Sequence, residues 1–542
     1  MTSLLHALFA AILAAPASSI IPPKPLRVAI VGGGIGGAAT SYYLQELLTN
    51  ASMPGGDIVA FERSDYVGGR LKHTFFETSS GETVGVELGG AAWVDGNQYI
   101  RALAAALGMN TTTIATTPST ATLASAAANC SGALCALGIW EGTAFAELAS
   151  VALRNAGGLA RLAAAESKFL HNVKESYTSS AVSAPFRSIA EFLAWGNLST
   201  YTSASIRSFF AERGVKEELI ATGLAPLTRA IYNRNCDANT FSLLASLTAE
   251  LSHHSVRGGN YQLVEALFKH AAAEIRVNTT VSHIQFENKT GRFIVTSSSS
   301  SSSSSTSPVV EVRVSEVFDK VVIAAPLERT NISFSGFTLP PGATLDRGFT
   351  DWHVTVLEAH SLAPAQFGLN NNNNNNEETS SSSFSSARRL VPKKKMKMDL
   401  PRTLPVDLTD CVVLTTANGS TPATPYVCIQ PLGKHGGGDH AKSVWLVYSD
   451  AALHDAELET LFLGLNVNAT LRQHWPYTFA QLTPFGGAEG EGEGEGEERA
   501  PQVQPVVLHP SGLINANAME SIASAMEISI IGGRNAARLL LA

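Results

Sequence analysis

The fold of this chain is decided by residues 28–44, which read VAIVGGGIGGAATSYYL. A short apolar run leads into three glycines with GxGxxG spacing, Gly32, Gly34 and Gly37, and the residues that follow have helical spacing. In such a motif the first glycine permits a tight turn, the second lets the backbone approach a pyrophosphate, and the third lets the helix pack on the sheet. The pattern therefore predicts a strand, a turn and a helix whose N-terminal N–H groups bind phosphates.

A second strand and an acidic residue complete the pattern. Residues 57–62, DIVAFE, have the composition of a buried strand and end at Glu62. A carboxylate at that place accepts hydrogen bonds from ribose hydroxyls. Strand, glycine turn, helix and second strand occupy about 35 residues, the length of one βαβ unit. Because all four elements are present, a dinucleotide site is favoured over a glycine-rich turn without a ligand.

The bulk composition is that of a large globular chain. With 542 residues, of which 45% are hydrophobic and 15% charged, it can bury a sizeable core and form roughly two to four domains. The net charge of −8 argues against nucleic-acid binding, which needs a basic surface. Beyond the N-terminus, no stretch offers the roughly 20 apolar residues of a membrane span. No histidine cluster accompanies a cysteine, so we expect no metal site.

The first 19 residues, MTSLLHALFAAILAAPASS, have the features of a targeting segment. An apolar run is followed by Ala15-Pro16-Ala17, a small-residue cleavage cue, and this favours a signal peptide over an anchor or a frayed helix. Asn-x-Ser/Thr sequons, from Asn50 to Asn468, add modest support for a glycoprotein. We therefore expect entry into the secretory pathway, with the lysosome, the vacuole or secretion as the destination.

Two further glycine pairs decide between NAD and FAD. The chain continues after Glu62 as RSDYVGGR, with Gly68, Gly69 and Arg70, and residues 87–91 read ELGGA, with Gly89 and Gly90. These stretches resemble two consecutive motifs of a flavoprotein superfamily that includes amine oxidases, protoporphyrinogen oxidase and phytoene desaturases. The resemblance implies FAD, with the first doublet and its arginine over the pyrophosphate and flavin. It also implies that the second doublet passes the flavin. A surface salt bridge is the alternative role for the arginine.

Two later stretches resemble the parts of that superfamily where the chain returns to the cofactor. Gly258-Gly259-Asn260 is followed by a predicted strand over residues 277–284, in which Val281 is a candidate backbone contact to the adenine. A plain core role for Val281 is equally well supported. The final helix is expected to begin around Glu520 and to direct its N–H groups at the pyrimidine end of the flavin.

The C-terminal sequence narrows the family. Residues 517–527, NAMESIASAME, and residues 444–449, VWLVYS, resemble stretches of prenylcysteine oxidases, and the likeness spans roughly residues 27 to 542. The resemblance implies an FAD-dependent oxidase that uses O2 and water to cleave the thioether of S-farnesyl- or S-geranylgeranyl-cysteine. The products would be cysteine, a prenyl aldehyde and hydrogen peroxide. Another flavin amine oxidase or desaturase acting on an apolar substrate, and a non-catalytic secreted flavoprotein, are the alternatives.

The predicted fold class is α/β. An FAD-binding Rossmann-like domain, similar to those of amine oxidases and glutathione reductase, is joined to an α+β substrate domain. The FAD-binding domain comprises residues 25–110, 250–335 and 500–542, and the substrate domain comprises residues 111–249 and 336–499. Low-complexity runs within residues 370–409 and 486–499 cannot bury enough apolar area to fold alone, so we predict disordered insertions there.

The residues that carry out the reaction are less well defined by the sequence. Loss of a hydride from the allylic carbon needs no side-chain base, so the sequence names no catalytic residue. Arg229 is a candidate for binding the substrate carboxylate, and a structural role is the alternative. The expected partners are the small-molecule prenylated cysteine and O2. The length of the prenyl chain and the oligomeric state stay open.

Overall fold

The computed structural model describes residues 24–114, 137–178, 184–246, 253–301, 310–368, 408, 412–418, 421–422, 424–436, 441–486 and 503–542. The predicted signal peptide, residues 1–19, lies outside these ranges, as do most residues of the two predicted insertions. Leu408, which lies within the first predicted insertion, is described. Its side chain is buried, and its carbonyl oxygen accepts a hydrogen bond from the Leu362 N–H at 3.0 Å.

A helical region from Leu148 to Ser246 separates an N-terminal part with strands and helices from a C-terminal part that consists mostly of strands and ends in a helix. The strands are β1 (Arg27–Val31), β2 (Asp57–Phe61), β3 (His73–Glu77), β4 (Thr83–Glu87), β5 (Trp93–Val94), β6 (Thr111–Ile114), β7 (Leu137–Trp140), β8 (His253–Val256), β9 (Glu274–Arg276), β10 (Thr279–Glu287), β11 (Arg292–Ser301), β12 (Val310–Phe318), β13 (Lys320–Ile323), β14 (Ser333–Ser335), β15 (Phe349–Ala359), β16 (Ser361–Leu362), β17 (Val412–Thr415), β18 (Ala417–Asn418), β19 (Thr421–Pro422), β20 (Tyr426–His435), β21 (Lys442–Ser449), β22 (Phe462–Leu463), β23 (Leu471–Ala480), β24 (Val507–His509) and β25 (Leu513–Asn515). The helices are α1 (Ile35–Asn50), α2 (Gln98–Ala106), α3 (Leu148–Arg154), α4 (Ala156–Thr178), α5 (Ile189–Trp195), α6 (Ser199–Thr202), α7 (Ile206–Glu212), α8 (Glu217–Leu219), α9 (Ala225–Tyr232), α10 (Thr240–Ser246), α11 (Tyr261–His270), α12 (Asp455–Leu461) and α13 (Met526–Leu541).

The glycine motif follows the carboxyl end of β1, a strand of a six-stranded sheet with the order β24-β25-β13-β1-β2-β9. Strand β1 is central because it pairs in parallel with β13 on one side and β2 on the other. Its residues 28–31 are buried, as expected for a parallel strand covered on both faces. The strands of this sheet come from three stretches that are far apart in the sequence. The predicted α/β class with a Rossmann-like unit is confirmed.

The two faces of this sheet have different covers. Helices α1 and α13 cover one face and cross closely, since a Cβ added to Gly533 would lie only 2.5 Å from the carbonyl oxygen of Gly36. On the other face, Ala29 and Phe61 pack against the sheet of order β12-β11-β10-β14, through residues such as Val281 and Phe293. The C-terminal helix therefore lies beside the glycine-loop helix, where it can contribute to the same site.

A second six-stranded sheet has the order β23-β15-β21-β20-β17-β7. One of its faces packs around Trp445 and Leu357 together with α12. On the opposite face, Val354 and Leu446 pack against the β3–β4 hairpin. Helix α9 contacts β17 and β20 of this sheet. The sheet therefore connects the hairpin that follows the Gly68-Gly69 doublet with the helical region.

The helical region, α3 to α10, shares one continuous hydrophobic core with the helix face of the Rossmann-like sheet. Aromatic residues such as Phe169, Tyr201 and Phe241 are packed edge to face within it. Among the residues with described positions, no helix is both long and apolar enough to cross a bilayer.

Candidate active site

The glycine loop and the first glycine doublet meet directly. The Gly68 N–H donates to the carbonyl oxygen of Gly33 at 2.9 Å, and a Cβ on Gly34 would have Gly68 O, at 3.9 Å, as its nearest neighbour. Gly68 and Gly69 have φ values of +127° and +58°, which favour glycine. Gly34 precedes α1, whose first turn has no side-chain cap and no acidic residue. The uncapped N–H groups and the open space at Gly34 form a cradle that fits a pyrophosphate.

The other two glycines of the motif are required by close backbone contacts. Gly32 has a φ of +115°, and a Cβ there would lie 3.0 Å from the carbonyl of Ala324 at the end of β13. A Cβ on Gly37 would lie 2.1 Å from the carbonyl oxygen of Gly32. These two positions therefore hold the turn itself, whereas Gly34 borders the space that a ligand would fill.

Glu62 lies at the end of β2 and reaches back to the glycine loop. One carboxylate oxygen accepts a hydrogen bond from the Gly33 N–H, and the other accepts from the Ser64 N–H and hydroxyl, all at 2.8 Å. A carboxylate has about four acceptor positions, so it can still accept from a ribose hydroxyl. The carboxylate is thereby fixed beside the phosphate cradle.

The strand that carries Val281 begins next to Glu62. Strand β10 begins at Thr279, two residues later than the predicted strand, and the Thr279 N–H donates to Glu62 O at 2.8 Å. The Val281 side chain is buried in the core between the two sheets. It therefore has the core role that the sequence allowed, and an adenine contact through its backbone stays a prediction.

Arg70 forms an ion pair with Glu520. Its guanidinium donates to a carboxylate oxygen of Glu520 and to the carbonyl oxygen of Thr478 on β23. Glu520 is only 3% exposed. Burial by itself raises the pKa of Glu520, but the charge and hydrogen bond of Arg70 outweigh it and lower the pKa to about 2. The salt bridge of Arg70 is thus made to a buried carboxylate within the site.

The expectation that the last helix begins around Glu520 is wrong. Residues 516–521 form a 3-10 turn, and α13 begins at Met526 after Ala525, whose backbone is extended. The physical cause is a tether: the Ser524 hydroxyl donates to Glu520 at 2.9 Å and accepts from the Ala480 N–H at 3.0 Å. Met526 lies 3.8 Å from a Cβ added to Gly90, so the start of α13 is beside the second doublet.

A buried polar network holds Glu520 from behind. Asn517 donates to the second carboxylate oxygen of Glu520 at 3.0 Å. Arg347 donates to the backbone and side-chain oxygens of Asn517 at 2.8 and 2.7 Å, and it forms a bidentate pair with Glu328. The Arg347 and Glu328 side chains are almost fully buried. Sequence reasoning missed both residues, because no motif or spacing connects them to residue 517.

The second doublet is held against Arg70 by backbone contacts. The Gly90 N–H donates to Arg70 O at 2.9 Å, and a Cβ on Gly89 would lie 1.9 Å from the same oxygen. Asn260 donates to the carbonyl oxygens of Gly90 and Ala91, both at 2.9 Å. The Gly258-Gly259-Asn260 motif thus anchors the stretch that is expected to pass the flavin.

Arg229 lies apart from these residues, on α9. Its side chain is 5% exposed, and its nearest charged partner is Asp450, with 3.8 Å between Nη2 and Oδ2. Burial lowers the pKa of Arg229, and Asp450 opposes this effect. The structure does not bring Arg229 into contact with Arg70 or Glu520. Within the described ranges, no three His, Cys, Asp or Glu side chains are grouped to hold a metal ion.

Comparisons with known proteins gave the following matches. A model of an NAD(P)-binding Rossmann-like domain matches residues 30–107. Two putrescine oxidase structures from a redesign of cofactor binding, a triple mutant and a single mutant, align over 96% of this chain and 100% of theirs. They share 12% identity with it and have TM-scores of 0.48 and 0.49.

The family is given by the sequence comparisons. A farnesylcysteine lyase of Arabidopsis thaliana is 24% identical over 544 residues, covering 96% of this chain and 88% of the relative. The model of the prenylcysteine lyase family matches residues 159–390 and 401–542, which make up more than half of the chain. The chain is therefore a member of the prenylcysteine lyase family.

Proposed function

We propose that this protein is an FAD-dependent oxidase that cleaves the thioether of S-farnesyl- or S-geranylgeranyl-cysteine. The observation that carries the proposal is the family membership, since a family model and a farnesylcysteine lyase match the chain that also builds a dinucleotide cradle. In the overall reaction the prenylcysteine, O2 and water give cysteine, a prenyl aldehyde and hydrogen peroxide. O2 accepts two electrons and two protons and becomes hydrogen peroxide, and water supplies the oxygen of the aldehyde.

The residues of this chain fit FAD. The N-terminus of α1 and the Gly34–Gly68 contact would hold the pyrophosphate, and Glu62 would hold the adenosine ribose. Arg70, Gly89 and Gly90 would border the flavin end. When bound, FAD supplies the two-electron oxidation of the allylic carbon beside sulfur, chemistry that no side chain provides.

The protein's own contribution is orientation. Arg70 binds the β23 backbone through Thr478 and would fix it next to the flavin end. Because Arg70 is paired with Glu520, this contact adds no net charge there. Asn260 holds the Gly89-Gly90 stretch in place at the same end. These fixed dipoles need no rearrangement during the reaction. A water molecule must reach the oxidised carbon, so the site must open to water at that carbon.

An anaerobic reduction experiment tests the proposal. Purified protein loaded with FAD is mixed with S-farnesylcysteine, and the absorbance of oxidised flavin near ~450 nm is followed. We expect bleaching that air reverses, with release of peroxide, an aldehyde and cysteine. No bleaching by S-farnesylcysteine or S-geranylgeranylcysteine would refute the proposal. Bleaching by amines instead would point to an amine oxidase.

A pair of variants connects the activity to the cradle. Gly34→Asp places a carboxylate where the pyrophosphate binds and should abolish FAD binding without unfolding the protein. The same substitution at Gly157, exposed on α4 near Arg161, is the matched control and should keep both flavin and activity.

The proposal includes entry into the secretory pathway, which the apolar N-terminal stretch and the sequons support. The full chain would be expressed in a eukaryotic cell, and its mass would be measured with and without glycosidase. We expect removal of about 20 N-terminal residues, as for a signal peptide, and loss of mass on deglycosylation. An unprocessed and unglycosylated chain would refute this part.

A further inference from the structure

Arg229 is a buried cation with two nitrogens that make no hydrogen bond to the described residues. Its Nε and Nη2 atoms are buried and have no hydrogen-bond partner among the residues that the structure describes. These two nitrogens form one edge of the guanidinium, the edge that binds a carboxylate through two parallel hydrogen bonds. A buried charge without hydrogen bonds is costly, which indicates that a ligand completes this site.

Asp450 is the only charged group paired with Arg229 in the described part of the chain, and the pair is loose. The separation of 3.8 Å is too long for a hydrogen bond, and the Asp450 side chain is 35% exposed. Asp450 makes no hydrogen bond to other described residues. The two side chains thus present an open donor edge and an open carboxylate side by side.

A row of aromatic rings runs from the helix that carries Arg229 to the strand that precedes Asp450. From α9 toward β21, the row consists of Tyr232, Phe479, Trp352 and Tyr448, with ring centroids 5.5, 5.8 and 5.3 Å apart. Phe479 directly follows Thr478, whose carbonyl oxygen accepts from Arg70. Tyr448 lies two residues before Asp450. The two ends of the aromatic row therefore lie on the elements that carry or precede Arg229 and Asp450, and Phe479, an inner member of the row, adjoins the residue that contacts Arg70.

We propose that Arg229 and Asp450 form the receptor for the amino acid end of the substrate. Arg229 would bind the α-carboxylate through its open edge, and Asp450 would bind the α-ammonium group. The aromatic row would border the path between this receptor and the flavin end. This inference rests on the proposed function, because it takes the substrate to be an S-substituted cysteine.

Three substrates and three variants test the receptor. S-farnesylcysteine has both charges, S-farnesylcysteamine lacks the carboxylate, and S-farnesyl-3-mercaptopropionate lacks the ammonium group. The variants are Arg229→Gln, Asp450→Asn and, as a matched control, Arg234→Gln. Arg234 lies just beyond α9 and is already paired with Asp237. The rate of flavin bleaching gives kcat/KM for each combination.

The wild type should prefer S-farnesylcysteine over S-farnesylcysteamine by about tenfold to a hundredfold, as expected for hydrogen bonds to a charged group. Arg229→Gln should remove this preference by slowing only the substrates that have a carboxylate. Asp450→Asn should remove the preference for substrates with an ammonium group. Arg234→Gln should keep both preferences.

The outcomes separate the two proposals. If the wild type oxidises S-farnesylcysteine but Arg229→Gln and Asp450→Asn keep the wild-type preferences, the receptor is refuted and the proposed function stands. If the flavin-loaded wild type oxidises none of the three compounds, the proposed function fails, and the receptor with it. If Arg229→Gln fails to fold, Asp450→Asn still tests the receptor, because the Asp450 side chain is partly exposed. Loss of the preference for substrates with an ammonium group would support the receptor, and retention of that preference would refute it.

Discussion

The ion pair of Arg70 and Glu520 makes a quantitative prediction about stability and pH. Glu520 has a pKa of about 2 in the folded protein, against an ordinary value of 4.5. At about 1.4 kcal/mol per pH unit, this difference corresponds to about 3 kcal/mol of folding free energy at neutral pH. Because folding lowers the pKa, the stabilisation is complete above about pH 4.5 and is lost as the pH falls toward 2. Glu520→Gln should remove this pH-dependent contribution.

The assay is urea unfolding of the wild type and Glu520→Gln, followed by far-ultraviolet circular dichroism at pH 7 and pH 3. The free-energy difference between the two proteins should shrink by about 2 kcal/mol at the lower pH, because the carboxylate of the unfolded chain is then mostly protonated and folding must release that proton. Glu265→Gln, on the exposed face of α11, controls for the substitution itself and should unfold like the wild type at both pH values. A free-energy difference that is the same at pH 7 and pH 3 would refute the assignment of the charged pair.

Three further predictions concern the same region. Gly37→Ala should destabilise the protein even without FAD, by about 1–3 kcal/mol or more, because its Cβ would lie 2.1 Å from Gly32 O; thermal unfolding measures this. Gly34→Ala should leave the unfolding of the FAD-free protein unchanged and weaken FAD binding, as measured by flavin titration; equal FAD affinity would contradict the cradle. Glu328→Gln should cost about 3–5 kcal/mol in urea unfolding, because it leaves the buried Arg347 without its counter-charge, and a loss below about 1 kcal/mol would contradict this.

The local part of the site follows from the sequence because its determinants are neighbours in the chain. The glycine spacing, the apolar strand before it and Glu62 all lie within one βαβ unit, so their geometry depends on short-range contacts. Gly89 and Arg70 are likewise close in the sequence, and a Cβ on Gly89 would lie 1.9 Å from Arg70 O. Such contacts are specified by residue type and spacing, and a single sequence displays both.

The network behind Glu520 does not follow from the sequence, for the opposite reason. Arg347 and Asn517 are separated by 170 positions, and only the folded chain brings them together. The start of the last helix was misplaced for a related reason. Helical spacing gave no sign that Ser524 binds both Glu520 and the β23 backbone, and these two hydrogen bonds keep the preceding residues out of the helix.

Strand β23 joins the contact of Arg70 to the aromatic row. Its Thr478 backbone accepts from Arg70, while the next residue, Phe479, packs its ring against Tyr232 and Trp352. Successive side chains of a strand point to opposite faces, so a slip of one residue would exchange their surroundings. The pairing of β23 with β15 has an irregularity between Thr350, which lies opposite Phe479, and Trp352, which lies opposite Trp475. The register of one strand thus determines both the contact of Thr478 with Arg70 and the position of Phe479 in the aromatic row, so we expect a change that shifts β23 to affect FAD binding and substrate preference together.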